Sequence, residues 1–302
     1  MSNELLLGID LGGTKIEAAI IRKQDLFVVD RMRIPTNSKD GYDAVVNRIS
    51  QFASEISIKN EFTPHYIGLG TPGCLDPYTQ TMKNSNSTIL NGMPLKKDLE
   101  MLTGKEVRMS NDANCFAIAE AMMGAVPEVC PDAQVVFGVI LGTGVGGGLV
   151  VNGRVVNGKH SIGGEWGHNF LDESGGPCYC GKSGCVEKVL SGPNLEKFYF
   201  EISGKALRMA DIVKQYREGE DEFALQTMHR LFYFFGKAIT QVINIVDPDV
   251  IVIGGGVGNI DEIYIEGPKF AKDFIFNNGR VETLFVKPKL GDSAGVFGAA
   301  ML

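Results

Sequence analysis

The chain lacks an excess of positive charge: 29 Lys and Arg stand against 36 Asp and Glu, a net charge of −7. A nucleic-acid partner needs a basic footprint, so none is expected. Small anionic substrates stay compatible, because a local site can oppose the global charge. No apolar run reaches the length that spans a bilayer, which argues against a membrane protein. Residues 1–10 lack the basic start and long apolar stretch of a secretory signal, so a cytoplasmic location is expected. Cysteine is scarce and is not spread as a disulfide framework. Cys178, Cys180 and Cys185 crowd together while Cys74, Cys115 and Cys130 are scattered, a pattern that reads as metal ligation in a chain without a signal.

What is present is length for two domains and much glycine. At 302 residues the chain exceeds one core of usual size. Its 38 glycines cluster at the ends of apolar runs, where backbone comes close to a ligand or to another backbone. Residues 5–21 read as strand, glycine turn and returning strand. Residues 42–58 have helical spacing, 65–70 form a short buried strand, and 107–109 another. Residues 115–123 read as a helix, so Asp112 falls where a strand gives way to a helix, a common place for reactive groups in open α/β sheets. A second strand-turn-strand starts at Val135, and Gly8, Leu11 and Gly12 match Gly138, Leu141 and Gly142. The match implies two related lobes. Residues 195–245 carry mostly helical patterning, and residues 291–302 a glycine turn with a small-residue helix.

Several motifs carry chemistry. In Asp10-Leu11-Gly12-Gly13-Thr14-Lys15, glycine N–H groups can approach phosphate oxygens, Thr14 adds a donor, and a strand-end aspartate can hold hydrated magnesium. It is not the usual P-loop, since no Gly-Lys-Ser/Thr closes it. By itself it is equally a tight hairpin. Gly142-Thr143-Gly144, within a glycine-rich stretch to Gly148, and Gly254-Gly255-Gly256 each follow an apolar strand. Each alone is an ordinary bulged hairpin or strand-to-helix turn; together the three turns fit a bound nucleotide. Cys178, Cys180 and Cys185 with His168 supply three thiolates and an imidazole, a closed tetrahedral zinc set of the structural kind. Glu165 and Glu187 flank that loop and can accept hydrogen bonds from sugar hydroxyls, although a lone Glu is usually surface. Asp112 reads either as a helix N-cap or as a base aimed at a substrate hydroxyl.

Taken in order, these motifs resemble the ROK family of bacterial sugar kinases and related repressors. The resemblance covers essentially the whole chain. It rests on residues 10–15, Gly70-Thr71-Pro72-Gly73, Asn111-Asp112, residues 142–148, 164–168, Cys178 to Glu187 and Gly254 to Gly256. It implies an α/β, two-lobed actin-like (ribonuclease H-like) fold. The lobes are expected at residues 1–112, completed by 291–302, and at 113–290, with a zinc-binding insert at 161–187. It implies ATP with Mg2+, structural Zn2+ and a sugar acceptor. Asp112 matches the catalytic base, and Gly73, Asn111, Asp112, Glu165, His168 and Glu187 match the sugar site. Asp10, Gly12, Gly13, Thr14, Lys15, Gly142, Thr143 and Gly144 match the phosphate loops, Gly254 to Gly256 the adenosine side, and His168, Cys178, Cys180 and Cys185 the zinc ligands. A homodimer is expected by the same carry-over.

Kinase is set against two other readings. A repressor of the family carries an N-terminal helix-turn-helix, for which a phosphate motif at Asp10 leaves no room. A non-catalytic sugar sensor would not need Asp112 and intact glycine loops. For the sugar, residues 86–92 with Trp166 and Asn169 look most like the fructokinase branch, and Trp166 beside Glu165 is expected to narrow the pocket against an acetamido group. Residues 111–117 and 142–153 look equally like the N-acetylglucosamine kinases, and N-acetylmannosamine and glucose are compatible acceptors as well. Fructose is the expected acceptor.

Overall fold

The structure, a computed structural model, describes residues 4–302. In chain order its elements begin with β1 (Leu5–Leu11), β2 (Lys15–Arg22), β3 (Phe27–Pro35), α1 (Tyr42–Lys59), β4 (Tyr66–Thr71), β5 (Cys74–Leu75) and β6 (Met82–Lys83). Then come α2 (Leu95–Thr103), β7 (Glu106–Asn111), α3 (Asp112–Met122), α4 (Val126–Val129), β8 (Val135–Leu141), β9 (Val145–Val151) and β10 (Arg154–Val155). The rest are α5 (Val186–Leu190), α6 (Gly192–Ser203), α7 (Met209–Glu218), α8 (Glu222–Val246), β11 (Val250–Gly254), α9 (Ile263–Ala271), β12 (Leu284–Val286) and α10 (Ala294–Ala300).

The chain divides into two compact units. The first takes the described chain up to Pro127 together with Gly148–Gly163 and Lys289–Leu302; the second takes Glu128–Gly147 and Gly164–Pro288. Segments 113–127 and 148–163, placed by the sequence with the second lobe, fall with the first unit. The reason is packing: α3 lies against α10 so closely that a methyl on Gly298 would overlap the backbone of Cys115.

The first unit is built on a sheet of order β3-β2-β1-β4-β7. The β1–β2 and β2–β3 pairs are antiparallel, and β1, β4 and β7 run parallel. β2 is buried at its six central positions, as a strand covered on both faces must be. On one face Ile16, Ala18 and Ile20 meet Val45, Ile49, Phe52 and Ile56 of α1. The apolar residues of α1 recur at helical spacing, so its buried stripe faces the sheet. On the other face α10 presses onto β1 and β4, where Gly8 and Gly68 leave no Cβ to hold it off. The edge strand β3 has no fully buried position, which the sequence did not mark as a strand.

The second sheet has the order β10-β9-β8-β11-β12, with β8, β11 and β12 parallel. β11 is buried at every position, and α8 is the long helix of the second unit, with Met228, Leu231, Phe235 and Ile239 fully buried. No helix among the described residues is long and apolar enough to cross a membrane.

One buried carboxylate ties the first unit together. Glu120 on α3 is fully buried, and its Oε1 accepts from the N–H groups of Lys289 (3.0 Å) and Leu290 (2.9 Å). Its Oε2 accepts from Ala125 N–H at 2.9 Å. Charge-assisted bonds of this kind satisfy a buried carboxylate, which would otherwise be heavily penalised.

Candidate functional site

Parallel strands of the first sheet end at a common edge. The register pairs Asp10 with Gly70 and Thr71 with Asn111, so the carboxyl ends of β1, β4 and β7 bring Asp10, the Gly70–Gly73 segment and Asn111-Asp112 together. Ligands of open α/β sheets gather at this kind of edge. Asp10 sits close against two small positions: a Cβ on Gly295 would lie 3.0 Å from its Oδ2, and one on Gly70 3.2 Å from its Oδ1. Crowding by protein raises its pKa to about 6, the Asp112 and Glu17 carboxylates push the same way, and Lys15 pulls against them.

Asp112 opens α3, but the helix cap is Asn111, whose Oδ1 accepts from Asn114 N–H at 2.8 Å. That leaves the Asp112 carboxylate accessible to solvent while still ringed by protein. The crowding raises its pKa, opposed by bonds from the N–H of Ala113 (2.8 Å) and from its own. Cys115, one turn further along α3, is completely buried, and its thiol is pushed well up by burial and by both aspartates. Gly73 is fixed by its carbonyl, which accepts from Thr71 Oγ1 at 2.9 Å, and a Cβ there would lie 2.7 Å from the Lys83 carbonyl oxygen.

The Gly12–Lys15 turn is a closed hairpin in which Gly12 N–H donates to the Lys15 carbonyl at 2.9 Å and Thr36 Oγ1 to the Gly12 carbonyl at 2.7 Å. Beside it lies an ionic cluster the sequence did not reveal. Glu17 is almost wholly buried, with Arg33 Nε at 2.8 Å, Arg31 Nε at 3.5 Å and Lys15 Nζ at 3.8 Å from its oxygens. Ser293 Oγ donates to Glu17 at 2.9 Å and accepts from Arg31 at 2.6 Å and Arg33 at 2.9 Å. Alternation on β2 and β3 puts these groups on the α10 face, and the β2–β3 register pairs Glu17 directly with Arg33.

The second unit carries the other half of the predicted residues. Register pairs Gly254 with Ile140, so the turns after β8 and β11 share one edge of that sheet. Gly142 N–H donates to the Gly144 carbonyl, and Gly192 N–H to the Gly142 carbonyl, each at 2.9 Å. Gly255 has φ +83°, and a side chain there would run into the Leu141 backbone; both features demand glycine. Glu187 is the second residue of the short α5, whose N-cap is Cys185, and its Oε2 accepts from Val145 N–H at 3.1 Å. Glu165 immediately precedes the 3-10 turn Trp166–His168. Trp166 is a core side chain: it is 4% exposed, donates through Nε1 to the Gly146 carbonyl at 3.2 Å and packs edge-on against Phe137. The sequence-based expectation that it narrows a sugar pocket is corrected by this core position.

His168, Cys178, Cys180 and Cys185 converge, with their ligand atoms all within 4.8 Å of one another. Cys178 Sγ is 3.7 Å from His168 Nδ1, and Cys180 Sγ is 3.6 Å from Cys185 Sγ. The sulfurs are too far apart for a disulfide, which needs about 2.05 Å. The spacings suit a tetrahedral ion with bonds of about 2.3 Å to sulfur and about 2.0 Å to nitrogen, so the four residues fit zinc. His168 Nε2 lies 3.0 Å from the Tyr179 hydroxyl, a partner that fixes the ring as outer-shell groups do. All six cysteines are without disulfides.

Comparison with known proteins agrees with this arrangement. The ROK family profile matches residues 6–302. An N-acetyl-D-glucosamine kinase of Vibrio atlanticus is 36% identical over 308 residues, covering 98% of each chain. One of Yersinia pseudotuberculosis is 35% identical over 305 residues, covering 98% of this chain and 97% of its own. Among solved structures, the ROK hexokinase of Thermus thermophilus superposes with a TM-score of 0.87 at 28% identity, over 99% of this chain and 97% of that one. The chain belongs to the ROK family and has the two-lobed actin-like fold of its sugar kinases.

Proposed function

We propose that this protein is an ATP-dependent sugar kinase whose preferred acceptor is N-acetylglucosamine. The observation that carries the kinase reading is the pair of crowded carboxylates, Asp10 and Asp112, at one strand edge of the first unit, each with its pKa raised. Phosphoryl transfer asks the protein for positioning and for charge neutralisation rather than for covalent chemistry. Asp112 accepts the proton of the attacking sugar hydroxyl, and a raised pKa makes it a better acceptor near neutrality. Asn111 and Gly73 orient the sugar in the first unit; Glu165, His168 and Glu187 are the sugar contacts assigned to the second. N–H groups of the Gly12–Lys15 and Gly142–Gly144 turns cradle phosphate oxygens, and the Gly254–Gly256 turn takes the adenosine side. Magnesium, bound with the nucleotide, offsets phosphate charge, and Asp10 is the carboxylate that would face it. Zinc on His168 and the three cysteines holds the loop between Glu165 and Glu187 in shape.

The sugar rests on the curated relatives, which carry that name at 35–36% identity over nearly the whole chain. Fructose, expected from residues 86–92 with Trp166 and Asn169, has no such support among these relatives, and the core position of Trp166 removes the steric argument against an acetamido group. Asn91, within residues 86–92, clamps the backbone of Ser85 through both ends of its carboxamide, at 2.9 and 3.0 Å. A homodimer is proposed on the family resemblance, and a cytoplasmic location on the scattered and clustered cysteines, which form no disulfide framework. The test is a coupled ADP-release assay across N-acetylglucosamine, N-acetylmannosamine, glucose, mannose and fructose. N-acetylglucosamine is expected to give the highest kcat/KM; a tenfold advantage for fructose would overturn the sugar, and no turnover on any of them would overturn the kinase.

A further inference from the structure

The first unit contains a small polar cavity of about 120 Å3 that opens beside Asn111. We propose that it is the subsite for the acetamido substituent of the sugar, and that Asn114 and Asn157 decide between N-acetylhexosamines and plain hexoses. The inference rests on the sugar kinase reading above and adds to it the residues that set selectivity.

Size is the first argument. A water takes about 30 Å3 in the liquid, so the cavity holds about four water-sized groups. An acetamido group has four heavy atoms, whereas a hexose has twelve. The space suits one substituent of the sugar.

Chemistry is the second. An acetamido group presents an N–H donor, a carbonyl acceptor and a methyl. The cavity wall offers all three complements: Leu75 and Met109 give apolar surface, and Ser110, Asn114, Asn157 and Ser161 give hydroxyls and carboxamides. Asn114 is 3% exposed, and its Oδ1 is buried without a hydrogen-bond partner. Leaving such an acceptor unmatched costs about 1–3 kcal/mol, an expense a folded protein rarely carries without a use. A rotation of the carboxamide toward a ligand N–H would relieve it.

Placement is the third. Asn157 Oδ1 accepts from Ser110 Oγ at 2.8 Å, which fixes the carboxamide and leaves its amide hydrogens as donors suited to an acetyl carbonyl. The loop that carries Asn157 and Ser161 is held in a defined shape, since Gly163 N–H returns to the Asn157 carbonyl at 2.9 Å and Ser161 adopts φ +56°. A non-glycine residue in that left-handed region is uncommon and tends to mark a functional loop. Asn111 borders the cavity and precedes Asp112 in sequence, so a substituent seated here belongs to a sugar whose hydroxyl is offered to Asp112.

The test compares kcat/KM for N-acetylglucosamine, glucosamine and glucose in the full-length wild-type protein and in Asn157→Leu and Asn114→Leu, with thermal melts to establish folding. Asn157 lies on a loop, so its variant keeps the test independent of any folding defect in the buried Asn114 variant. The ratio of N-acetylglucosamine to glucose is expected to fall by about 10- to 100-fold in Asn157→Leu, the range set by losing one recognised group. Glucosamine, which lacks the acyl group, should track glucose. A ratio unchanged within twofold, with both sugars slowed together or neither slowed, overturns the subsite while the kinase stands. A wild type that ignores N-acetylglucosamine and turns over another hexose overturns the sugar reading, and this inference with it.

Discussion

The two sheets run in one pattern, an antiparallel edge leading to parallel strands, yet their carboxyl edges carry opposite chemistry. The first edge holds ionisable groups, Asp10 and Asp112, whose pKa values are both raised by burial, with the Asp112 carboxylate adding to the cost of charging Asp10. The second holds glycine turns, and its ionisable groups come from an irregular insert shaped by thiols and an imidazole. Shared topology supplies the place; residue type assigns the work. The first edge is suited to move a proton and the second to approach a ligand with backbone.

Replacing Asp112, the proposed base, is the most direct way to break this comparison. Asp112→Asn keeps the shape and removes the proton acceptor, so kcat should fall by about 10²- to 10⁴-fold. Calorimetry should still find nucleotide and sugar binding; near-normal turnover would take the base away from the first edge.

Disturbing the second unit should act through shape. Elemental analysis of the wild type is expected to find one zinc per chain at the proposed site, and Cys180→Ser should abolish it. The substitution should also raise the sugar KM by about tenfold or more and lower Tm, with a smaller effect on kcat than Asp112→Asn has. Fully active, folded protein that contains no zinc would refute the ion's role.

Asp10→Asn sharpens the contrast in a different quantity. The folded pKa of Asp10 is raised from 3.8 to about 6, so the fold disfavours the ionised form. That group's contribution is fully present below the unfolded pKa and is lost as pH rises through about 6. Removing the charge should therefore stabilise the ligand-free protein at pH 8, by about 2–3 kcal/mol at most, and do nothing at pH 3. Melts at the two pH values read the difference, and activity should drop even as Tm rises. A stabilisation independent of pH would refute the crowding argument.

Trp166→Phe should give the smallest effect on selectivity. It loses one hydrogen bond and some packing in the core, about 1–3 kcal/mol of stability. The ratio of rates on N-acetylglucosamine and glucose should stay within twofold; a change toward either sugar would return Trp166 to the pocket.

Much of this was legible in the sequence because it is local. Glycine turns after apolar runs locate strand ends, and the match of Gly8 to Gly138 anticipates the two equivalent hairpins β1–β2 and β8–β9. The thiol spacing with His168 was readable because the ligands lie within one short loop. What escaped depends on partners far apart in sequence. Glu17 is an ordinary strand carboxylate until Arg33 and Ser293 surround it. Asn157 and Ser161 lie in an unmarked loop that meets Ser110 only in the fold. Trp166 misled because an aromatic beside Glu165 looks like a pocket wall when its orientation is unknown.

The carboxylate of Glu120 sets an order of assembly. Its partners at Lys289 and Leu290, and the helix α10 that seats on β1, β4 and α3, are synthesised after every residue of the second unit. While the ribosome is still making residues 164–288, the first unit has an acid with the Ala125 donor but without those of Lys289 and Leu290, and a sheet face without its cover. Domains generally fold as units during synthesis. The unit that begins first is thus completed last, and the thiol cluster can take up the proposed zinc before the edge that holds Asp10 and Asp112 has closed. A stalled chain ending near residue 285 should already bind zinc while its N-terminal segment remains open to protease.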